Sequence, residues 1–310
     1  MHILVTGGAG FIGSHIAAYY ASRARVRVLD NLRSGHLGNL DGIDCEFVEG
    51  SVTSREDVKK AMKGIDYVFH LAAMISVPES VSNPEECNRI NTQGTLIVLQ
   101  EAAWAGAKKL CFSSSAAIYG DNPVVPKTET MLPEPKSPYA VTKLDGEYYC
   151  NIYAQEGWLN TASMRYFNVF GPRQDPNSAY AAAIPSFVSR AVRHQPISIF
   201  GDGQQTRDFV YVNDVVAANV HLAEQDSCCG VYNVACGKRQ TIQELAATII
   251  ELTQSTSPIR YEAPRPGDVK HSQADIQKLM ATGFSPITDV TAGLKDTITA
   301  MTFEGTFKNS

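Results

Sequence analysis

The run Thr6-Gly7-Gly8-Ala9-Gly10-Phe11-Ile12-Gly13 limits what this chain can become more than any other segment. It follows a short apolar stretch, Ile3–Thr6, and opens a helical pattern over Phe11–Ser22. Gly7, Gly10 and Gly13 between a strand and a helix permit a sharp turn, close approach of the backbone to a pyrophosphate, and tight strand–helix packing. The helix N-terminus then presents N–H groups and partial positive charge to phosphates. Asp30 ends the next candidate strand, where a carboxylate can accept hydrogen bonds from the adenosine ribose. It repels a 2′-phosphate, which favours NAD over NADP. Arg33 is the opposing signal, since an arginine nearby can cradle that phosphate.

The rest of the first half repeats the same alternation. Candidate strands at Val26–Leu29, Cys45–Val48, Tyr67–His70 and Lys109–Ser113 are apolar without polar alternation, as strands buried on both faces of a parallel sheet are. Helical patterns at Arg55–Met62 and Glu85–Ala105 separate them, which implies right-handed βαβ units. A further helix starts at Ser137-Pro138, with Ser at the N-cap and Pro at the first helical position, and runs to about Glu156. Thr161–Tyr166 reads as another strand. The expected fold is an α/β, Rossmann-type doubly wound parallel sheet over residues 1–169, with a smaller mixed α/β substrate domain over 170–310. Segments near 208–235 are expected to return to the first domain, and the end from about Thr302 to be a mobile tail.

Composition excludes several other classes. A net charge of −5 without a basic run gives no footprint for nucleic acid or an anionic membrane. No stretch of about 18 apolar residues predicts a membrane span, and the N-terminus does not read as a signal peptide. Seven cysteines without a CxxC pair suit reduced thiols and a cytoplasmic location. Neither they nor the seven histidines have metal-ligand spacing, so no metal is expected.

Chemistry is carried by Tyr139 and Lys143, which at i, i+4 share one face of the capped helix. A lysine ammonium beside a phenol favours the phenolate and predicts a lowered tyrosine pKa, towards the range of a general base. Ser113-Ser114-Ser115 ends the fifth strand, at the edge where a parallel sheet presents its site. A hydroxyl there can bridge a reacting group and Tyr139.

With these residues in view, nearly the whole chain resembles the extended short-chain dehydrogenase/reductases, and specifically the UDP-hexose 4-epimerases. The resemblance rests on TGGAGFIGS from Thr6, DNL from Asp30, HLAA from His70 and NTQGT from Asn91. It continues through SSSAAIYG from Ser113, SPYAVTK from Ser137, RYFNVFGPRQ from Arg165, GDGQQTRDFVYVNDV from Gly201 and RPGDVKHSQAD from Arg265. It implies retained NAD, held by Gly7, Gly10, Phe11, Ile12, Gly13, Asp30, Asn31, Ser51, Val52, Leu71, Ala72, Ala73, Asn91, Tyr139, Lys143 and Tyr166. It implies that Tyr139, assisted by Ser115, takes the proton of the sugar 4-hydroxyl while hydride leaves carbon 4, and that the 4-keto sugar turns before both return. Firm grip on UDP and loose grip on the hexose allow that rotation. Asn168, Ile199, Arg207, Arg265, Asp268 and Ser272 are the remaining implied substrate contacts, the arginines on the diphosphate. A homodimer built from the Glu85–Ala105 and Ser137–Glu156 helices is also implied; Ile90, Leu96, Val98, Tyr149 and Ile152 are apolar enough to contribute to it and equally suit the intramolecular core.

The chain departs from the family pattern at Gly50-Ser51-Val52, where an acid often meets the adenine amino group. Ser51 can still hydrogen-bond, with a weaker hold. At position 272 a bulky tyrosine would restrict the family to glucose and galactose; Ser272 predicts that N-acetylhexoses enter. Ala116-Ala117 replaces the acid pair that a sugar 4,6-dehydratase needs after its strand-tip hydroxyl. A UDP-uronate epimerase or decarboxylase shares most of these motifs and is the alternative. A dinucleotide-sensing regulator without catalysis would not be expected to keep Ser115, Tyr139 and Lys143 together.

Overall fold

Seven strands lie side by side in one parallel sheet in the computed structural model, which describes residues 1–175, 183–264 and 269–307. They are β1 (His2–Thr6), β2 (Arg25–Asp30), β3 (Glu46–Glu49), β4 (Tyr67–His70), β5 (Lys109–Ser115), β6 (Asn160–Tyr166) and β7 (Gly230–Val234). Their order is β7-β6-β5-β4-β1-β2-β3, and every neighbouring pair is parallel. The chain therefore winds outward from β1 to β3, then crosses to β4 and winds the other way. At such a reversal the loops on the carboxyl edge part and leave a crevice.

The unbroken apolar runs of the central strands follow from two covered faces, whereas β3, at the edge of the sheet, has no fully buried residue. Ile3 and Val5 point into one core with Ile16, Tyr20, Phe69, Val215 and Leu222, while Leu4 between them points into another with Leu29, Val58, Val68, Val98 and Leu99. Strand side chains alternate faces, so a strand buried on both must be apolar throughout. Helices Phe11–Tyr20 and Val212–Glu224 supply the first face; Arg55–Ala61, Gly94–Trp104 and Pro138–Gln155 supply the second.

A separate core gathers Phe170, Phe187, Val188, Ile197, Ile199, Phe209, Tyr211, Leu245, Ile249 and Leu294. It is built by helices Ala183–Val192, Ile242–Leu252 and Val290–Phe307 and by the parallel pair Ile197–Phe200 and Ile259–Glu262. A second short parallel pair, Asn168–Phe170 with Phe209–Tyr211, ties this part to the end of β6.

Local sequence accounts for most element ends. The Ser137 hydroxyl accepts from the Ala140 amide, with Pro138 in the first turn. The stretch expected as one helix at Glu85–Ala105 instead runs through Pro84–Asn88, a widened π-helical turn at Arg89–Gln93, and Gly94–Trp104. The wide turn carries Asn91, and such turns concentrate at functional positions. Residues 302–307 continue the last helix where a mobile tail was expected.

Candidate active site

The crevice beside β1 is lined first by the glycine turn. Gly7 leaves β1 with φ +69°, and a Cβ there would stand 2.7 Å from the Ala72 nitrogen. A Cβ on Gly13 would stand 2.3 Å from the Gly7 carbonyl oxygen, so only glycine lets helix Phe11–Tyr20 approach β1 this closely. Gly10 caps that helix and supplies no side-chain cap to its first amides. This cradle, which any side chain would fill, fits the pyrophosphate of a dinucleotide. Phe11 and Ile12 pack their side chains towards the smaller core.

Asp30 stands at the tip of β2. Its Oδ2 accepts from the Ala9 amide at 3.0 Å and its Oδ1 from the Leu32 amide at 2.8 Å. The carboxylate thus anchors both the glycine turn and its own loop, and Asn31 Oδ1 accepts from Arg33 N in the same loop. Ser51 donates its amide to Asp57 Oδ2 and shares a hydroxyl hydrogen bond with Thr53, 2.8 Å. Val52 is buried against Gly94 and belongs to the core, not to an open wall.

Leu71, Ala72 and Ala73 follow β4 and are half-buried. Thr6 holds them there, its carbonyl accepting from Leu71 N and its hydroxyl from Ala72 N. The same hydroxyl meets His70 Nδ1 at 2.7 Å, while His70 Nε2 meets Thr95 Oγ1 at 2.9 Å. Asn91 is fully engaged: Oδ1 accepts from Met74 N at 2.7 Å, and Nδ2 donates to Met74 O and to Thr142 Oγ1, both at 3.0 Å. Thr142 lies between Tyr139 and Lys143, so Asn91 ties the loop after β4 to the helix carrying both. Tyr166 sends its hydroxyl into the core, hydrogen-bonded with Asn219.

Ser115, Tyr139 and Lys143 meet at the carboxyl edge of β5. The Ser115 hydroxyl, which accepts from the Ala117 amide at 3.1 Å, lies close to the Tyr139 phenol. Lys143 Nζ donates to the Ser113 carbonyl at 2.6 Å and lies 5.8 Å from the Tyr139 ring centre. Burial pulls the Lys143 ammonium down to about 8. Burial also pushes the Tyr139 phenol up, with the nearby Ser115 hydroxyl opposing it. This corrects the expected lowering: the ammonium is spent on a carbonyl, and desolvation outweighs the rest. Met74, Cys87 and Ile90 pack around the Tyr139 ring.

The opposite wall comes from the smaller part. Asn168 is exposed and its amide bonds the Asp208 carbonyl. Arg207 lies in Thr206–Arg207, paired with Gln240–Thr241. Ser272 donates its amide to the Thr206 carbonyl at 3.0 Å, which sets it beside Arg207. The chain then enters a small core in which Ala274 and Ile276 meet Ala116, Ile118 and Leu144, near Ser115 and Lys143. Ile199 is 1% exposed inside the smaller core, so its side chain cannot form a ligand wall; alternation along the strand leaves Phe200 half-buried instead. Arg265 and Asp268 lie outside the described residues.

Sequence reasoning passed over two buried charged groups. Asp208 accepts from Cys236 N and Ala274 N, and burial pushes its carboxyl up to about 7. Glu147 grips Arg165 through two hydrogen bonds, 2.9 and 2.7 Å, and accepts from Ser114 Oγ. Arg165 also donates to Tyr119 OH, which donates to Asn233. A charge inside an apolar run, as in Arg165 and Asp208, was the available signal. Among the described residues no group of three His, Cys, Asp or Glu could hold a metal, and no helix is long and apolar enough to cross a membrane.

Comparison with known proteins adds to this geometry. Residues 3–235 match the NAD dependent epimerase/dehydratase family. The UDP-N-acetylglucosamine 4-epimerase of Methanobrevibacter ruminantium, solved with UDP-N-acetylmuramic acid, is 41% identical, with a TM-score of 0.95 over 98% of each chain. The UDP-glucose 4-epimerase of Thermotoga maritima, solved with UDP-glucose, is 39% identical, with a TM-score of 0.93 over 99% of this chain and 100% of that one. The UDP-N-acetyl-alpha-D-glucosaminuronate decarboxylase of Bacillus cytotoxicus is 33% identical over 95% of this chain and 96% of its own length.

Proposed function

The chain belongs to the NAD-dependent epimerase/dehydratase family, and from that premise we propose that it is an enzyme that inverts carbon 4 of UDP-hexoses. The observation that carries this reading is the convergence of Ser115, at the tip of β5, with Tyr139 and Lys143 on one helix face, and Ala116-Ala117 beside Ser115. NAD, when bound, would supply the hydride acceptor and donor for the sugar's carbon 4. The turn at Gly7, Gly10 and Gly13 would hold its pyrophosphate, and Asp30 its adenosine ribose. Tyr139 takes the proton of the 4-hydroxyl, and Ser115 orients that hydroxyl and stabilises the phenolate. Lys143, about 8 in pKa, stays largely charged at neutral pH and supports the ionised tyrosine when the site is filled. Alanines at 116 and 117 cannot transfer protons, so elimination of water across the ring lacks its acid and base. Asn168, Arg207, Arg265 and Asp268 are proposed to hold the UDP half.

Ser272 supports acceptance of N-acetylated hexoses alongside plain ones, because a small side chain there leaves room for an acetamido group. The similarity to a uronate decarboxylase favours a second reading, in which the sugar carries a carboxylate at carbon 5. Incubation with UDP-GlcNAc, UDP-Glc and the corresponding UDP-uronates, read by chromatography, separates the two. Inversion of the neutral sugars supports the epimerase; turnover of uronates alone would replace it.

A homodimer and a cytoplasmic location go with this reading. Val98 is fully buried in the chain's own core, and Ile90 packs near Tyr139, so neither is available to a partner. Val141, Tyr148 and Ile152 instead form an exposed apolar stripe along helix Pro138–Gln155, and we assign the interface to it. All seven thiols are unpaired, which agrees with a reducing compartment.

A further inference from the structure

Arg33 is the residue whose sequence signal pointed away from NAD. Three positions beyond Asp30, a guanidinium can counter a 2′-phosphate on the adenosine ribose. Its position along the chain is fixed, since Leu32 (φ +57°) and Arg33 donate their amides to Asp30 Oδ1 and Asn31 Oδ1. Its head is occupied. Nη2 donates to Glu79 Oε1 at 2.7 Å and Nη1 to Glu86 Oε1 at 3.0 Å. Both acids come from the segment after β4, so the ion pairs cross between two loops of the carboxyl edge. Glu86 is held in turn by Arg89, Nε to Oε2 at 2.7 Å and Nη2 to Oε1 at 2.8 Å. Arg89 Nη1 donates to Thr53 Oγ1 at 2.9 Å, and Thr53 bonds Ser51. Two arginines and two glutamates thus form a neutral chain along the edge where the adenosine half is proposed to lie.

We propose that Glu79 and Glu86 set the cofactor choice, by withholding Arg33 from a 2′-phosphate; the inference rests on the proposed NAD site. To take that phosphate, Arg33 must release two carboxylates, which then face the new negative charge. Exposed ion pairs are individually weak and screened by salt, so the effect is a bias between cofactors and not a block. Asp30 acts directly on the ribose, whereas Glu79 and Glu86 act through Arg33 and are positioning residues.

The test is titration calorimetry of cofactor-depleted protein with NAD and with NADP, on the wild type and the Glu79→Gln/Glu86→Gln double variant. The double variant should gain NADP affinity relative to NAD by roughly ten- to a hundredfold, the worth of a charge-assisted hydrogen bond. Its NAD affinity should move by only about threefold, as expected for losing surface pairs. Adding Arg33→Ala to the double variant should cancel the gain. An unchanged ratio, or a gain that survives Arg33→Ala, overturns the proposal while leaving the NAD site intact. A wild type that binds neither dinucleotide overturns both.

Discussion

Ser272 is one residue on which the proposed substrate range turns. Its amide is fixed to the Thr206 carbonyl beside Arg207, so a larger side chain there cannot easily be moved aside. Ser272→Tyr should cut turnover of UDP-GlcNAc by a further factor of about 5 to 150 relative to UDP-Glc, equivalent to ~1–3 kcal/mol of overpacking. Initial rates with both sugars check this; an equal loss on both would dissociate position 272 from the hexose pocket. The proposed catalytic trio of Ser115, Tyr139 and Lys143 shows what residue patterns do not report. The i, i+4 spacing of Tyr139 and Lys143 was legible because a helix makes those positions neighbours. That Lys143 Nζ bonds Ser113 O, and that burial raises the phenol, depends on atoms of β5 packed beneath the helix. Ile199 fails for a related reason: a residue name does not say which face of its strand is wet.

Among elements, the wide turn at Arg89–Gln93 brings Asn91 between two others. Asn91→Ala leaves the Met74 amide and carbonyl without their side-chain partner, and should cost about 1–3 kcal/mol. Melting temperature should fall, and kcat should fall more than KM rises, because the loop and the Tyr139 helix lose their tie. An unchanged melting temperature would show that the bonds are replaceable. The dimer stripe is an element-scale claim as well. Tyr148→Glu with Ile152→Glu should convert a dimer to a monomer in sedimentation, whereas an unchanged mass would move the interface elsewhere. Strands and long helices were legible because one chain segment carries their whole pattern: two-sided burial in β1, the Ser137 cap in Pro138–Gln155. The helix Val77–Ser82 was passed over although Ser76 caps it and Pro78 sits in its first turn, whereas the short pairs at Asn168–Phe170 and Phe209–Tyr211 were not legible, since their stability comes from distant partners.

At the scale of the whole molecule, two histidines, His70 buried and His15 half-buried, couple folding to acid. Burial lowers His15 to about 4 and His70 to about 3, from 6.5. The unfolded chain therefore binds these protons more readily than the folded one. Stability from this source is complete above about pH 6.5 and is lost as pH falls towards 4 and then 3. Melting temperature should decline steadily over that window, and His70→Asn should make the decline shallower. A flat profile would mean that these rings are not held neutral.

Epimerisation of UDP-GlcNAc by the wild type and by Tyr139→Phe, with bound NAD quantified on both, tests the central claim most directly. The wild type should interconvert UDP-GlcNAc and its 4-epimer, and the variant should lose roughly 10²- to 10⁴-fold in rate while keeping its NAD. Undiminished turnover by Tyr139→Phe, or no inversion at carbon 4 by the wild type, would contradict it.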